Sequence, residues 1–141
     1  MSSAHETEES LRLNLDFSKL AQIAAAGEPV VPVAVQDFET HEVLLIAYVS
    51  REALALSLRE KRAIFYSTSR REIWRKGETS GDVLELVEAR VNCEQNSLLF
   101  LVKKAGKGSC HTKGPDGINR GSCYYRKINS TEVLDFVSSQ E

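Results

Sequence analysis

The sequence is poor in cysteine, and its cysteines are badly placed for a disulfide framework. There are three in 141 residues, an odd number, and none belongs to a Cys-x-x-Cys pair. That spacing argues against a small secreted domain stapled by disulfides. It argues equally against a structural zinc knuckle, which takes four ligands in paired motifs. Long apolar runs are also missing: nothing approaches the roughly 18 residues that a membrane span needs. The opening MSSAHETEES has neither the basic nor the apolar region of a signal peptide, so a cytoplasmic location with reduced thiols is expected. Nor is there an excess of positive charge. Lys and Arg number 18 against 20 Asp and Glu, for a formal charge of −2, which disfavours a nucleic-acid partner held by overall charge. Repeats, low-complexity tracts and linkers are lacking too.

What is present suits one ordinary globular domain. Hydrophobic residues make up 42% and charged residues 27%. A chain of this length buries roughly two-thirds of its unfolded surface, enough for a core. The expected division is a flexible polar tail over 1–12 and a domain over 13–141.

Along the chain, Phe17, Leu20, Ile23 and Ala24 recur at helical spacing and stop at Gly27 and Pro29. VVPVAVQD reads as a strand that Pro32 confines to an edge or to an early strand position. FETHE is a turn, and VLLIAYV is the partner strand of a hairpin. Ser50 caps a helix over REALALSLREK whose apolar side is Ala53, Leu54, Leu56 and Leu58. AIFYSTS returns to strand, and RREIWRKGETSGD is a polar loop holding the only tryptophan. VLELVEARVNCEQ alternates as a half-buried strand does, and SLLFLVKK and CYYRKI complete the set. Asn129 and Glu132 resemble a capping box opening a last helix with Val133, Leu134 and Val137. Strands broken by short helices and tight turns predict an α+β fold with a mainly antiparallel sheet.

Two constellations carry chemistry. Cys110, followed directly by His111 and set among Gly108, Ser109 and Thr112, faces Cys123 across a glycine-rich loop, and Cys93 lies upstream. Three thiolates equal the ligand number of a catalytic zinc, whose fourth position takes water. Read singly, each cysteine is equally a small buried hydrophobe. In the second, WRKGETSG, Gly77 and Gly81 flank Thr79 and Ser80 next to Arg75 and Lys76. Such a turn forms an anion nest, or is only a charged surface loop.

Taken in order, these segments resemble the phosphoribosyl-AMP cyclohydrolase family of histidine biosynthesis, from about Val31 to Ile128. VQDFETHEVLLIAYVSREAL resembles its opening hairpin and helix. YSTSRREIWRKGETSG resembles its S-R-S-R…W-x-K-G-x-T-S-G segment, and SCHT…SCYYR its A-C-H-T-G…S-C-F-Y-R close. The resemblance implies a hydrolase that opens the adenine ring of 1-(5-phosphoribosyl)-AMP by water attack at C6, breaking N1–C6. It further implies a homodimer with a shared site. There Cys93 of one subunit and Cys110 and Cys123 of the other hold zinc, and an Asp-x-Asp-x-Asp pattern around the first cysteine carries magnesium. Zinc readies water for attack near neutral pH. His111 is then the proton carrier, or else a histidine that supports the loop. Arg70, Trp74, Lys76, Gly77, Thr79 and Ser80 fall on the substrate segment, with Arg70, Lys76, Thr79 and Ser80 on its phosphates.

The chain departs from the family pattern twice. Where the family has three aspartates it has Asn92, Glu94 and Asn96, alternate positions that share a face on a strand but offer one carboxylate, and magnesium favours carboxylates. KGPDGINRG also lengthens the interval between Cys110 and Cys123. Loop closure costs little more with length, so the site survives while access to it changes. Beside the cyclohydrolase stand a divergent zinc hydrolase of a related purine nucleotide and a non-catalytic, metal-stabilised nucleotide-binding domain. The H-x-E and P-C-x-x-C of a nucleobase deaminase are absent.

Overall fold

The structure is a computed structural model that describes residues 8–106, 110, 112–118 and 120–137. Its centre is a four-stranded sheet in the order β2-β1-β6-β5, made of Val31–Asp37 (β1), Val43–Val49 (β2), Leu84–Val91 (β5) and Leu98–Lys104 (β6). Strand β1 turns Val33, Val35 and Asp37 inward, the alternation its sequence carries. It pairs antiparallel with β2 and parallel with β6, so the mainly antiparallel sheet contains one parallel pair. Pro32 is the second residue of an interior strand, so of the two expected places it takes the early position and not an edge. Its missing N–H is tolerated because pairing with β6 starts only at Val33. Strand β5 carries a bulge at Val87, where the register against β6 slips and the inward–outward alternation breaks.

Between β2 and β5 the chain forms a helix, Arg51–Glu60, and a hairpin of Ile64–Ser67 (β3) with Glu72–Arg75 (β4). Ser50 caps the helix by accepting the Ala53 amide at 3.2 Å. Of the expected apolar side, Ala53 is buried and Leu54 and Leu56 pack against the core, whereas Leu58 is exposed and Ser57 is buried instead. Positions 53 and 57 stack one turn apart, whereas 58 has rotated off that face. Ser57 Oγ lies 2.9 Å from the carbonyls of both Ala53 and Ile64 and accepts the Ile64 N–H, which ties the helix to β3. The expected polar loop over 70–82 contains β4. Trp74 packs tilted against Phe65, and Phe65 stacks on Phe100, at centroid distances of 5.6 and 6.3 Å. Fully burying side chains of this size contributes about 1.5–3 kcal/mol each.

An earlier helix, Lys19–Ala26, ends at Gly27, whose φ of 78° serves as a left-handed cap. None of its residues is buried, and Phe17 and Leu20 are exposed. Among the described residues no helix is long and apolar enough to cross a membrane.

The end of the chain departs furthest from expectation. Arg126–Ile128 (β7) pairs with Leu134–Phe136 (β8), so the predicted last helix is a strand and CYYRKI becomes extended only at Arg126. The Asn129 amide, which a capping box would give to Glu132, goes instead to the Val133 carbonyl at 2.9 Å. A helix this short is marginal alone, whereas Leu134 gains a bond from its amide to Leu11 O at 2.7 Å. The stretch expected as a solvated tail is thus engaged from Glu8 onward. Leu13 N donates to Glu132 O at 2.9 Å, and Arg126 Nη1 to Ser10 O at 2.7 Å.

Candidate functional site

Cys110 is buried, and its amide donates to Arg120 O at 2.9 Å while Arg120 N donates to Thr112 O at 2.8 Å. These bonds close the base of the long loop. Its tip is a tight turn in which Gly114 N reaches Ile118 O at 3.0 Å and Gly117 takes a φ of 76°. Among the described residues, these bonds draw the two limbs of the loop together beside Cys110. On the other limb, Cys123 N donates to Leu44 O at 2.8 Å, and Ser122 Oγ to Val43 O at 2.8 Å. The second cysteine is pinned to strand β2.

The two thiols pair. Although Cys123 as a residue is exposed, a hydrogen bond with Cys110 first, then desolvation of its sulfur and the charge of Cys110, push its thiol far above the usual range. Cys110 Sγ also lies 3.2 Å from Thr112 Oγ1. Lys76 completes the cluster. Burial lowers its ammonium from the ordinary value, against the charges of Asp82, Cys123 and Cys110. Paired sulfurs are soft donors of the kind zinc takes, and zinc would replace both thiol protons; the Lys76 charge favours the thiolate form of Cys123.

Lys76 also opens a groove of about 530 Å³ that Arg70, Trp74, Gly77, Thr79 and Ser80 line as well. All six substrate-segment residues named from the sequence share this surface. Five are near neighbours in the chain, and the β3–β4 turn brings Arg70 to join them. Gly77 is required twice over. Its φ is 81°, and a Cβ there would come within 2.3 Å of the Asp82 and Val83 backbone. The Gly77 carbonyl accepts the Gly81 amide at 2.8 Å, closing the turn around Thr79 and Ser80.

The other expected site residues lie apart or outside the description. Cys93 is exposed in the turn after β5. Among the described residues no three His, Cys, Asp or Glu side chains gather at one point. His111 lies outside the described residues. Asn92, Glu94 and Asn96 are in that same turn and not on a strand, so they share no strand face. Asn92 Oδ1 accepts the Asn96 and Ser97 amides at 2.9 and 3.0 Å, and its Nδ2 donates to Asn96 Oδ1 at 2.7 Å. Asparagine closes the turn with bonds that three carboxylates could not make among themselves. Two residues escaped sequence reasoning. Asp82 sits one place beyond the glycine turn, and Arg120 is buried inside a loop that reads as polar surface. Only the close approaches to Gly77 and Gly106 reveal the packing of Asp82.

Fold and site together describe a small α+β enzyme in which Lys76 lines a polar groove and feels the charges of a thiol pair. The family model for phosphoribosyl-AMP cyclohydrolase matches residues 45–125. A phosphoribosyl-AMP cyclohydrolase of Archaeoglobus fulgidus is 42% identical over 104 residues, 74% of this chain and 90% of its own length. Those of Haloquadratum walsbyi and Pseudomonas paraeruginosa are 39% and 43% identical, covering 85% and 76% of this chain and 86% and 75% of their own lengths. The chain belongs to the phosphoribosyl-AMP cyclohydrolase family.

Proposed function

We propose that the chain hydrolyses 1-(5-phosphoribosyl)-AMP at the N1–C6 bond of its adenine ring, as a zinc-dependent, cytoplasmic homodimer serving histidine biosynthesis. The observation that carries this reading is the pairing of Cys110 with Cys123 under the electrostatic influence of Lys76, which also lines the groove. Cys110 and Cys123 would hold zinc together with Cys93 of a second copy, since Cys93 lies in a separate turn of its own chain. When bound, zinc supplies the Lewis acidity that readies water for attack on an aromatic carbon.

The remaining work falls to side chains. Arg70, Lys76, Thr79 and Ser80, which line the groove, bind phosphate oxygens. Trp74, anchored on Phe65, offers its ring to the groove wall. His111 moves the proton between water and the ring nitrogen. Magnesium, where it binds, depends on Glu94, because Asn92 and Asn96 spend their side-chain bonds on the turn. The long interval between Cys110 and Cys123 favours a second reading, a related purine nucleotide as substrate.

The test is turnover of phosphoribosyl-AMP, followed by absorbance, with metal-depleted protein before and after zinc. Activity that returns with zinc is expected, and activity indifferent to chelation would refute the zinc assignment. Mixing inactive Cys93→Ala and Cys110→Ala proteins under subunit exchange should restore one intact site per heterodimer. No recovery would refute the shared site.

A further inference from the structure

One guanidinium ties together both cysteine-bearing limbs of the site. Through its backbone, Arg120 accepts the amide of Cys110 and donates to Thr112, whose hydroxyl touches the Cys110 sulfur. Through its side chain, it lies 4.0 Å over the ring of Tyr125, two residues beyond Cys123, and 5.6 Å from that of Phe136. The Arg120 side chain is only 4% exposed. A cation taken so far out of water is stable only with a partner that meets it in good geometry. Glu9 is that partner, 111 residues away, with its two carboxylate oxygens 3.0 and 3.3 Å from Nη1 and Nη2. The Tyr125 hydroxyl donates to the Glu8 carbonyl, and Arg126 Nη1 to Ser10 O, so the same N-terminal segment grips the second limb directly.

We propose that Glu9 and Arg120 are positioning residues that hold Cys110 and Cys123 in register for a metal, making the segment Glu8–Leu13 a working part of the site. The proposal rests on the zinc reading above for its consequence, though not for its geometry. Arg120 stands two places before Ser122, at the base of the loop that runs from Cys110 to Cys123. Local closure bonds join the limbs of the loop, and the buried pair fixes where its base stands relative to Cys123. A bidentate fork gives orientation as well as attraction, which a lysine in the same place cannot reproduce.

Two measurements on the full chain separate positioning from general stability. In metal-free Cys93→Ala protein, glutathione disulfide oxidises Cys110 and Cys123 to a disulfide and is itself reduced to two glutathione molecules. The equilibrium constant reports the effective concentration of one thiol at the other. In the protein with all its cysteines, zinc affinity is measured by competition with a chromophoric chelator. Glu9→Gln and Arg120→Lys should each weaken zinc binding by ~10–100-fold, the range seen for residues that orient ligands. Each should also lower the effective thiol concentration, while Glu39→Gln, at an exposed pair with Lys103, changes neither. Melting curves run alongside show how much of each variant is folded. Folded variants with unchanged thiol exchange and zinc affinity would overturn the proposal and leave the pair a purely structural clamp. If the unsubstituted protein binds no zinc, the zinc reading fails separately, and the exchange constants alone decide whether Glu9 and Arg120 position the thiols.

Discussion

The central sheet and the segment from Cys110 to Val137 keep their shapes by different means. The sheet joins long neighbouring strands, and its core of Val33, Val35, Phe65, Phe100 and Val102 is fully buried. Its stability is spread over apolar area, so no one bond decides it. The C-terminal segment has only two strands of three residues. It hangs instead on discrete, long-range bonds: Ser122 and Cys123 to β2, Val137 N to Tyr125 O, and Arg120 to Glu9. Bonds of this kind each contribute about 0.5–1.5 kcal/mol, more when charged. A site built on them can be altered without unfolding the framework that carries it.

Breaking the sheet should therefore cost far more than breaking the site. Phe100→Ala empties the centre of the core, and a loss of about 3–5 kcal/mol is expected. Urea unfolding would measure it, and a loss below that range would mean that the core repacks.

Asp37 is the point at which the sheet, too, leans on discrete bonds. Burial alone would raise its carboxyl, but the Thr40 and Glu39 amides and Lys104 outweigh this and hold it below the ordinary value. Its Oδ1 accepts those amides at 2.9 and 2.8 Å and shapes the β1–β2 turn. A depressed carboxyl stabilises the fold above its unfolded pKa, and that stabilisation is lost as the pH falls through the folded value. Asp37→Asn should cost about 1.5–3 kcal/mol at neutral pH. It should also flatten the acid limb of a stability–pH curve, and a variant with an unchanged limb would contradict the assignment.

The smallest effect on stability, and the most local, belongs to Cys110→Ala. Removing the thiol that raises Cys123 brings the latter's pKa down, so Cys123 should alkylate faster in metal-free protein near pH 8. Unchanged or slower alkylation would show that the two sulfurs do not meet in solution.

Much of the framework was legible from local pattern. Strand β1 shows its alternation, Ser50 its cap, and β5 its half-buried period up to the bulge at Val87. Strand β4 was not, because Glu72–Arg75 is too short to display a period and becomes a strand by pairing with β3. Strand β8 misled because Val133, Leu134 and Val137 fit helical spacing, and only the bonds from Arg126–Ile128 and from Leu11 make them extended. In the site, the glycine turn was readable as residues 76–81 in sequence. The turn of Asn92 and Asn96 was not, since alternate polar residues read as a strand face until their side chains close on each other.

The sequence by itself determined which groups are available: three thiols, a lysine beside a glycine turn, and strands whose period buries one face. Periodicity and turn chemistry act over a few residues, so they can be read along the chain. Only the tertiary structure decided which groups meet. Lys76 reaches the Cys110–Cys123 pair, and Glu9 crosses the molecule to Arg120, through contacts between residues far apart in sequence. A buried cation finds its carboxylate, and one thiol another, only where the packed core and paired strands have already brought those stretches together, and no local preference encodes that meeting.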